Sequence, residues 1–140
     1  MVVTETYLDV RYYETDLMGI VHHSNYVRYF ECGRIQMLAD LGLPIHEIEK
    51  AGIMLPVVSV ECKYKLPTRM GDRLKVVSRI EKMPMAKMEI FNEIYNPQGE
   101  LCCYGKVVIG FIHADSRKPT RCPKSMIDTI APYFENSNIK

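Results

Sequence analysis

The segment that decides the fold reads SNYVRYFECGRIQMLADL, residues 24–41. Its apolar residues recur at spacings of three and four, which is the period of one helix face. These residues are Tyr26, Tyr29, Phe30, Gly33, Met37, Leu38 and Leu41. Val27 and Ile35 widen the apolar surface, and Gly42 is a suitable helix stop. We therefore predict a helix over about 25–41 that is buried on more than one side.

The segments on either side of this helix alternate between apolar and polar residues, as β-strands do. Before the helix, one face carries Thr4, Thr6, Leu8, Val10 and Tyr12. After it, the alternation runs from residue 53 to residue 113 and is interrupted by turn signals at Pro67, Gly71, Pro84 and Gly99. Short connections without an intervening helix predict an antiparallel meander.

These elements predict an α+β fold in which one long helix lies on one face of an antiparallel sheet of about five or six strands. A short helix over about 44–51, and a terminal helix with a frayed end within 119–140, complete the prediction. The chain has the length of a single domain, residues 1–140. One helix leaves strand edges uncovered, so we expect self-association into a homodimer or homotetramer.

Composition and charge argue against several function classes. The chain has 18 Lys and Arg against 17 Asp and Glu, a net charge of +1, whereas nucleic-acid-binding domains carry a basic stripe. No apolar run approaches the roughly 20 residues that a membrane span needs. Residues 1–6 lack the basic and apolar blocks of a signal peptide. We therefore expect a cytoplasmic protein that neither binds nucleic acid nor spans a membrane.

The cysteines and histidines indicate neither a disulfide framework nor a metal site. The cysteines are odd in number and form no C-x-x-C motif. We expect small buried or half-buried thiols in a reducing compartment at Cys32, Cys62, Cys102, Cys103 and Cys122. The adjacent His22 and His23 are badly spaced for shared metal coordination. The prediction is no metal and no cofactor.

The chemistry is expected between the first strand and the helix, in YYETDLMGIVHHSNY, residues 12–26. Asp16 lies in the loop, Gly19 gives the loop conformational freedom, and the first turn of the helix exposes backbone N–H groups. Those groups and the partial positive charge of a helix N-terminus suit a developing oxyanion. A nearby carboxylate suits a nucleophile or a general base.

The residues by themselves leave plainer alternatives open. Asp16 is also explained as a turn or capping residue, and His23 as a half-buried histidine at a helix start. Tyr12 and Tyr13 are most simply explained as strand packing. The sequence contains no Gly-x-Ser-x-Gly elbow, so the usual serine thioesterase mechanism is not expected.

The same segment resembles the Asp-type signature of the hotdog-fold acyl-CoA thioesterases, the 4-hydroxybenzoyl-CoA thioesterase and YbgC-like group. In that signature Thr or Cys precedes Asp, followed by two residues, Gly, Ile or Val, Val, one residue, His or Phe, two residues and an aromatic. The stretch from Thr15 to Tyr26 matches every constrained position. Residues 27–34 are similar to the central helix of the family. Asp9 is a departure, because the pattern prefers Gln or Arg there.

The resemblance implies a hotdog fold and the hydrolysis of an acyl-CoA thioester to a free acid and CoA. It gives Asp16 the role of nucleophile or general base. It gives the backbone N–H of His23 the role of polarising the thioester carbonyl, and the side chain of His23 that of orienting water or assisting the leaving thiolate. It implies substrate-binding positions at Gly19, Val21, Asn25 and Tyr26.

The resemblance also implies that the active site lies between two subunits, in agreement with the uncovered strand edges. Two alternatives to acyl-CoA hydrolysis stay open. The acyl group could be carried by acyl carrier protein, whose acidic surface would favour basic side chains near the site. The chain could also be a non-catalytic module that binds acyl-CoA without hydrolysing it.

Overall fold

The structure, a computed structural model, describes residues 1–135. Its strands are β1 (Val2–Asp9), β2 (Ile53–Met54), β3 (Val57–Tyr64), β4 (Arg73–Ile80), β5 (Lys87–Tyr95), β6 (Leu101–His113) and β7 (Pro119–Thr120). Its helices are α1 (Ser24–Asp40), α2 (Ile45–Lys50), α3 (Lys124–Ile130) and α4 (Pro132–Glu135). The long helix and the short helix after it lie where the sequence predicts them. The predicted frayed end falls outside the described residues.

The strands form one antiparallel sheet with the order β1-β4-β5-β6, and β2, β3 and β7 also pair with β6. The α+β class and the antiparallel sheet are confirmed. The predicted meander is wrong for β3, which pairs with β6 instead of its chain neighbour β4. The edge of β4 that β3 would need is taken by β1, in a register that runs from Val2 opposite Ile80 to Asp9 opposite Arg73.

The helix α1 crosses the sheet with its apolar face against β4. The buried residues of this helix include Tyr26, Tyr29, Phe30, Gly33, Met37 and Leu38, which are six of the seven residues predicted for the helix face. At Gly33 a Cβ atom would lie 2.6 Å from Ser78 Oγ and 2.7 Å from Val76 Cγ1. The Ser78 hydroxyl is not free to move aside, because it donates to Asn92 Oδ1 at 3.0 Å in the core. The absence of a side chain at Gly33 therefore sets how closely α1 approaches the sheet.

Strand β3 is exposed on both faces, unlike β4 and β5, whose alternate residues are buried. Val58 is 52% exposed and Val60 is 40% exposed. The cause is position: β3 lies at the outer edge of the sheet, where within the described residues it pairs with β6 alone. An unpaired edge with exposed apolar residues is a surface that proteins normally cover.

Tyr12 does not continue the first strand, so its predicted packing on that strand is wrong. Strand β1 ends at Asp9, and Tyr12 and Tyr13 lie in a 3-10 turn where they are 79% and 70% exposed. The turn is closed locally, because Glu14 N–H donates to Arg11 O and Arg11 N–H donates to the Glu14 carboxylate. Because these backbone groups are bonded within the turn, they do not continue the hydrogen bonding of β1 with its neighbouring strand.

Replacing Gly33 with alanine should destabilise the protein, although alanine is the better helix former by about 1 kcal/mol. The added methyl would force α1 away from Val76 and Ser78, at a cost of about 1–3 kcal/mol in the free energy of unfolding. Urea denaturation checks the change, with Arg28→Ala on the exposed face of the same helix as the control. Equal or higher stability of Gly33→Ala would show that the close contact is not needed.

Candidate active site

The loop between the 3-10 turn and α1 closes on itself. Thr15 and Val21 form an isolated β-bridge, Asp16 N–H donates to Ile20 O at 2.8 Å, and Gly19 N–H donates to Asp16 O at 3.0 Å. Gly19 has φ +76°, a left-handed conformation that glycine adopts without strain. The tight loop places Asp16 at its base, next to the beginning of the helix.

The Asp16 side chain is half-buried and is oriented by the backbone. Its Oδ1 atom accepts a hydrogen bond from Met18 N–H at 2.8 Å. Within residues 1–135, no side chain donates a hydrogen bond to this carboxylate and no cation forms an ion pair with it. An oriented carboxylate of this kind retains lone pairs that can attack a substrate or accept a proton.

Glu14, which was not predicted as a site residue, ties the loop to the helix. The Glu14 carbonyl accepts from His22 N–H at 2.9 Å and from the Asn25 side-chain amide at 2.8 Å. Its carboxylate accepts from the Tyr29 hydroxyl at 3.0 Å. Burial, followed by this bond and the Glu14 charge, raises the pKa of Tyr29. The phenol is therefore neutral and acts as a hydrogen-bond donor.

Thr68 ties the loop and the helix to the turn before β4. Its carbonyl accepts from Val21 N–H at 2.8 Å, and its hydroxyl bonds to the Tyr26 hydroxyl at 2.9 Å. Thr68 is fully buried and Tyr26 is 4% exposed. Burial raises the pKa of Tyr26. Thr68 gave no signal in the sequence, because 42 residues separate it from Tyr26.

These contacts shape a cleft of about 350 Å³ at the helix start. It is lined by Asp16, Met18, Ile20, Val21, His23, Tyr26, Tyr64, Lys65, Leu66 and Pro67. Four of the six predicted site residues therefore share one cleft. Asn25 does not line the cleft: it is 7% exposed, and its side-chain amide binds the Glu14 carbonyl. Gly19 is exposed and shapes the loop without lining the cleft.

Tyr64, at the end of β3, joins the cleft from the far side and was not predicted. Its ring packs edge-on against His23, with ring centroids 6.3 Å apart, and against Tyr26 at 5.4 Å. Its hydroxyl donates to the His23 carbonyl at 3.2 Å. The sequence shows Tyr64 on a strand but not that this strand ends beside the helix start.

The residue that precedes α1 lines the cleft and has a free backbone donor. Ser24 N–H donates to the ring Nδ1 of His22 at 3.2 Å. The backbone N–H of His23, which precedes the helix, has no acceptor in the part of the chain that the structure describes. With the helix dipole behind it, this N–H suits a ligand oxygen that gains negative charge.

Other candidate chemistries have less support in the structure. Residues 1–135 contain no group of three His, Cys, Asp or Glu side chains that could hold a metal ion. Over the same residues, no helix has the length and apolar character to cross a membrane. All five cysteines are free thiols. Cys32 is exposed, contrary to the prediction, and lines an open groove between α1 and β1.

The helix-on-sheet fold is that of a hotdog-type thioester hydrolase. A family model described as "Thioesterase-like superfamily" matches residues 10–130, and the chain belongs to this family. YneP of Bacillus subtilis, assigned as an acyl-CoA thioesterase, is 36% identical over 133 residues, which are 95% of this chain and 96% of YneP.

Two further relatives agree. The acyl-CoA thioester hydrolase YbgC of Escherichia coli is 25% identical over 118 residues, which are 84% of this chain and 88% of YbgC. The crystal structure of a DHNA-CoA thioesterase from Staphylococcus aureus is 31% identical, with a TM-score of 0.89 over 99% of this chain and 93% of that chain. The predicted hotdog fold and the thioester hydrolase class are confirmed.

Replacing Tyr26 with phenylalanine should destabilise the cleft and the protein together. The change removes the partner of both the Thr68 hydroxyl and the Thr68 N–H inside the core. A buried polar group that loses its partner costs about 1–3 kcal/mol. Thermal unfolding measures the loss, and Tyr104→Phe removes an exposed hydroxyl as the matched control. Unchanged stability of Tyr26→Phe would mean that the Thr68 contact does not hold the cleft.

Proposed function

We propose that this protein hydrolyses acyl-CoA thioesters to a free acid and CoA, with Asp16 as the reacting group. The observation that carries the proposal is the pairing, in one cleft, of an oriented carboxylate with the helix start that bears the free N–H of His23. The acyl-CoA substrates named for YneP and YbgC support the same choice of carrier.

The reaction begins with the thioester carbonyl oxygen accepting a hydrogen bond from His23 N–H. In the nucleophilic route, an Asp16 oxygen bonds to the carbonyl carbon, the carbon–sulfur bond breaks, and CoA leaves as a thiolate that takes up a proton. Water then hydrolyses the acyl–Asp16 anhydride. In the general-base route, Asp16 removes a proton from a water molecule as that water attacks the carbonyl carbon. The carbon–sulfur bond then breaks, and CoA leaves as a thiolate that takes up the proton. Both routes build negative charge on the oxygen that the helix start stabilises.

Asp16→Asn should lower kcat/KM on acyl-CoA substrates by at least ~100-fold, because the amide can neither attack nor accept the proton. Release of CoA thiol from a panel of aliphatic and aromatic acyl-CoAs measures the rate. Asp9→Asn is the control, since Asp9 forms only an exposed ion pair with Arg73. A rate of Asp16→Asn equal to that of the wild type would refute the role of Asp16.

The carrier is tested with the same acyl group on two carriers. We expect CoA thioesters to be hydrolysed with a higher kcat/KM than matched thioesters of acyl carrier protein. The reverse order would make this chain an acyl carrier protein thioesterase. Binding of intact acyl-CoA by calorimetry, without release of thiol, would instead indicate a binding module.

We further propose that a second copy of the chain covers the free edge of β3, forming a homodimer. The edge carries Val57, Val58, Val60 and Tyr64, which are 46%, 52%, 40% and 52% exposed. Tyr64 also lines the Asp16 cleft, so a partner on this edge would lie directly beside the site. Paired backbone and buried apolar surface would stabilise such a dimer.

Val60→Lys should convert the dimer to a monomer, because a lysine on the shared edge opposes strand pairing. The fold should survive, since Val60 is already exposed in one protomer. Sedimentation velocity measures the assembly, and Val3→Lys is the control: Val3 is 50% exposed on β1, the opposite edge of the sheet. A dimer that persists in Val60→Lys, or dissociates in Val3→Lys, would place the interface elsewhere.

A further inference from the structure

A second cleft, of about 300 Å³, lies along the β3 edge at the opposite end from Asp16. Its walls include Arg34, Ile35 and Leu38 on α1 and residues 54–56, which lead into β3. The Asp16 cleft lies where His23, just before α1, packs against Tyr64 at the other end of β3. The helix and β3 thus run in opposite directions, with one cleft at each end of the strand.

Both clefts open on the same side of α1. His23 and Arg34 are separated by three helical turns, and Leu38 follows one turn later, so the three side chains form a single stripe. This stripe faces the β3 edge. Arg34 and Leu38 line one cleft together with residues 54–56, and His23 lines the other together with Tyr64. The opposite side of the helix, with Arg28, faces β1.

A two-fold dimer across β3 brings unlike clefts together. Identical edges related by a two-fold axis pair in antiparallel fashion, so the beginning of β3 in one copy lies beside the end of β3 in the other. The axis is perpendicular to the joined sheet, which keeps both helices on one side of it. The Arg34 cleft of each protomer therefore lies next to the Asp16 cleft of its partner.

Arg34 is a cation without a polar partner among residues 1–135. Its side chain is half-buried, yet it makes no hydrogen bond or ion pair within residues 1–135. Burial lowers its pKa, while the charge of Glu31, one turn earlier, acts in the opposite direction. The cleft floor beside it includes Leu38, Met88 and Ile109, and the same cleft is also lined by two carboxylates and a second guanidinium, those of Glu31, Glu49 and Arg117. A guanidinium that is partly desolvated against an apolar floor is stabilised when an anionic or neutral oxygen accepts hydrogen bonds from its N–H groups.

We propose that Arg34 binds an electron-rich oxygen of the thioester held in the neighbouring cleft, where the partner subunit's Asp16 reacts. The proposal rests on the proposed function and adds a substrate-binding residue supplied by the second subunit. Two parts of the substrate carry such oxygens: the phosphates of CoA, and a hydroxyl or carboxylate group on the acyl chain. Arg34 can bind a phosphate or a carboxylate through two parallel N–H···O bonds, and a hydroxyl oxygen through a single one.

Mixed dimers test whether Arg34 acts across the interface. Asp16→Asn and Arg34→Gln are co-expressed with different affinity tags, and heterodimers are purified through both tags. If the two residues act in different subunits, one site of each heterodimer keeps both wild-type residues. The heterodimer then recovers about half of the wild-type rate per dimer, whereas each parent homodimer stays low. If they act within one subunit, both sites of the heterodimer are damaged and no activity returns.

Several outcomes of this experiment are distinguishable. Purified heterodimers that stay inactive overturn the proposal, and wild-type protein without thioesterase activity overturns the proposed function instead. Should Arg34→Gln fail to fold, Arg34→Lys, which keeps the charge but loses the bidentate fork, takes its place in the same assay. Arg28→Gln, a helix arginine that faces β1, serves as the matched control and should retain the wild-type rate.

Four substrates identify the oxygen that Arg34 binds: benzoyl and 4-hydroxybenzoyl thioesters, each on CoA and on N-acetylcysteamine, which has no phosphate. A phosphate contact predicts that Arg34→Gln loses ~10–100-fold in kcat/KM on both CoA thioesters and nothing on the short carriers. An acyl-oxygen contact predicts the loss on both 4-hydroxybenzoyl substrates alone. Equal rates on all four, or an equal loss on all four, would overturn the proposal, because neither reports recognition of an oxygen.

Discussion

The close contact between α1 and β4 at Gly33 is the constraint on which the site depends. With no side chain at this position, the helix lies directly on Val76 and Ser78, and its first turn is fixed relative to the sheet. That position brings the Tyr26 hydroxyl to Thr68 and the Tyr29 hydroxyl to Glu14. The loops on both sides of the helix start are therefore held by the packing of the helix itself.

The polar geometry of the cleft is held largely by backbone groups. Met18 N–H orients the Asp16 carboxylate, the Glu14 carbonyl binds the Asn25 amide, and the Thr68 carbonyl receives a loop N–H. Backbone donors and acceptors attached to a packed helix and sheet do not reorganise during a reaction, which favours electrostatic stabilisation of a transition state. This arrangement explains how a loop with exposed residues at its tip can still present one carboxylate in a defined orientation.

One edge of the sheet also forms part of the cleft. Strand β3 is at once the uncovered apolar edge and, through Tyr64, a wall of the Asp16 cleft. A second copy paired on this strand, as proposed, would therefore lie beside the site. The half-buried Arg34 lies at the other end of this edge, so a second copy would supply the wall that one protomer lacks.

The sequence by itself determined the elements whose signal is local. Helical spacing over residues 24–41 located α1, alternation located the strands, and the loop from Thr15 to Tyr26 marked Asp16 and His23, because each pattern is complete within a few turns or residues. The tertiary structure alone decided that β3 pairs with β6, that Tyr12 leaves the strand, and that Glu14, Tyr64 and Thr68 surround the helix start. Alternation reports which face a residue occupies but not which strand lies beside it. Contacts across 42 residues depend on how the whole sheet closes under the helix.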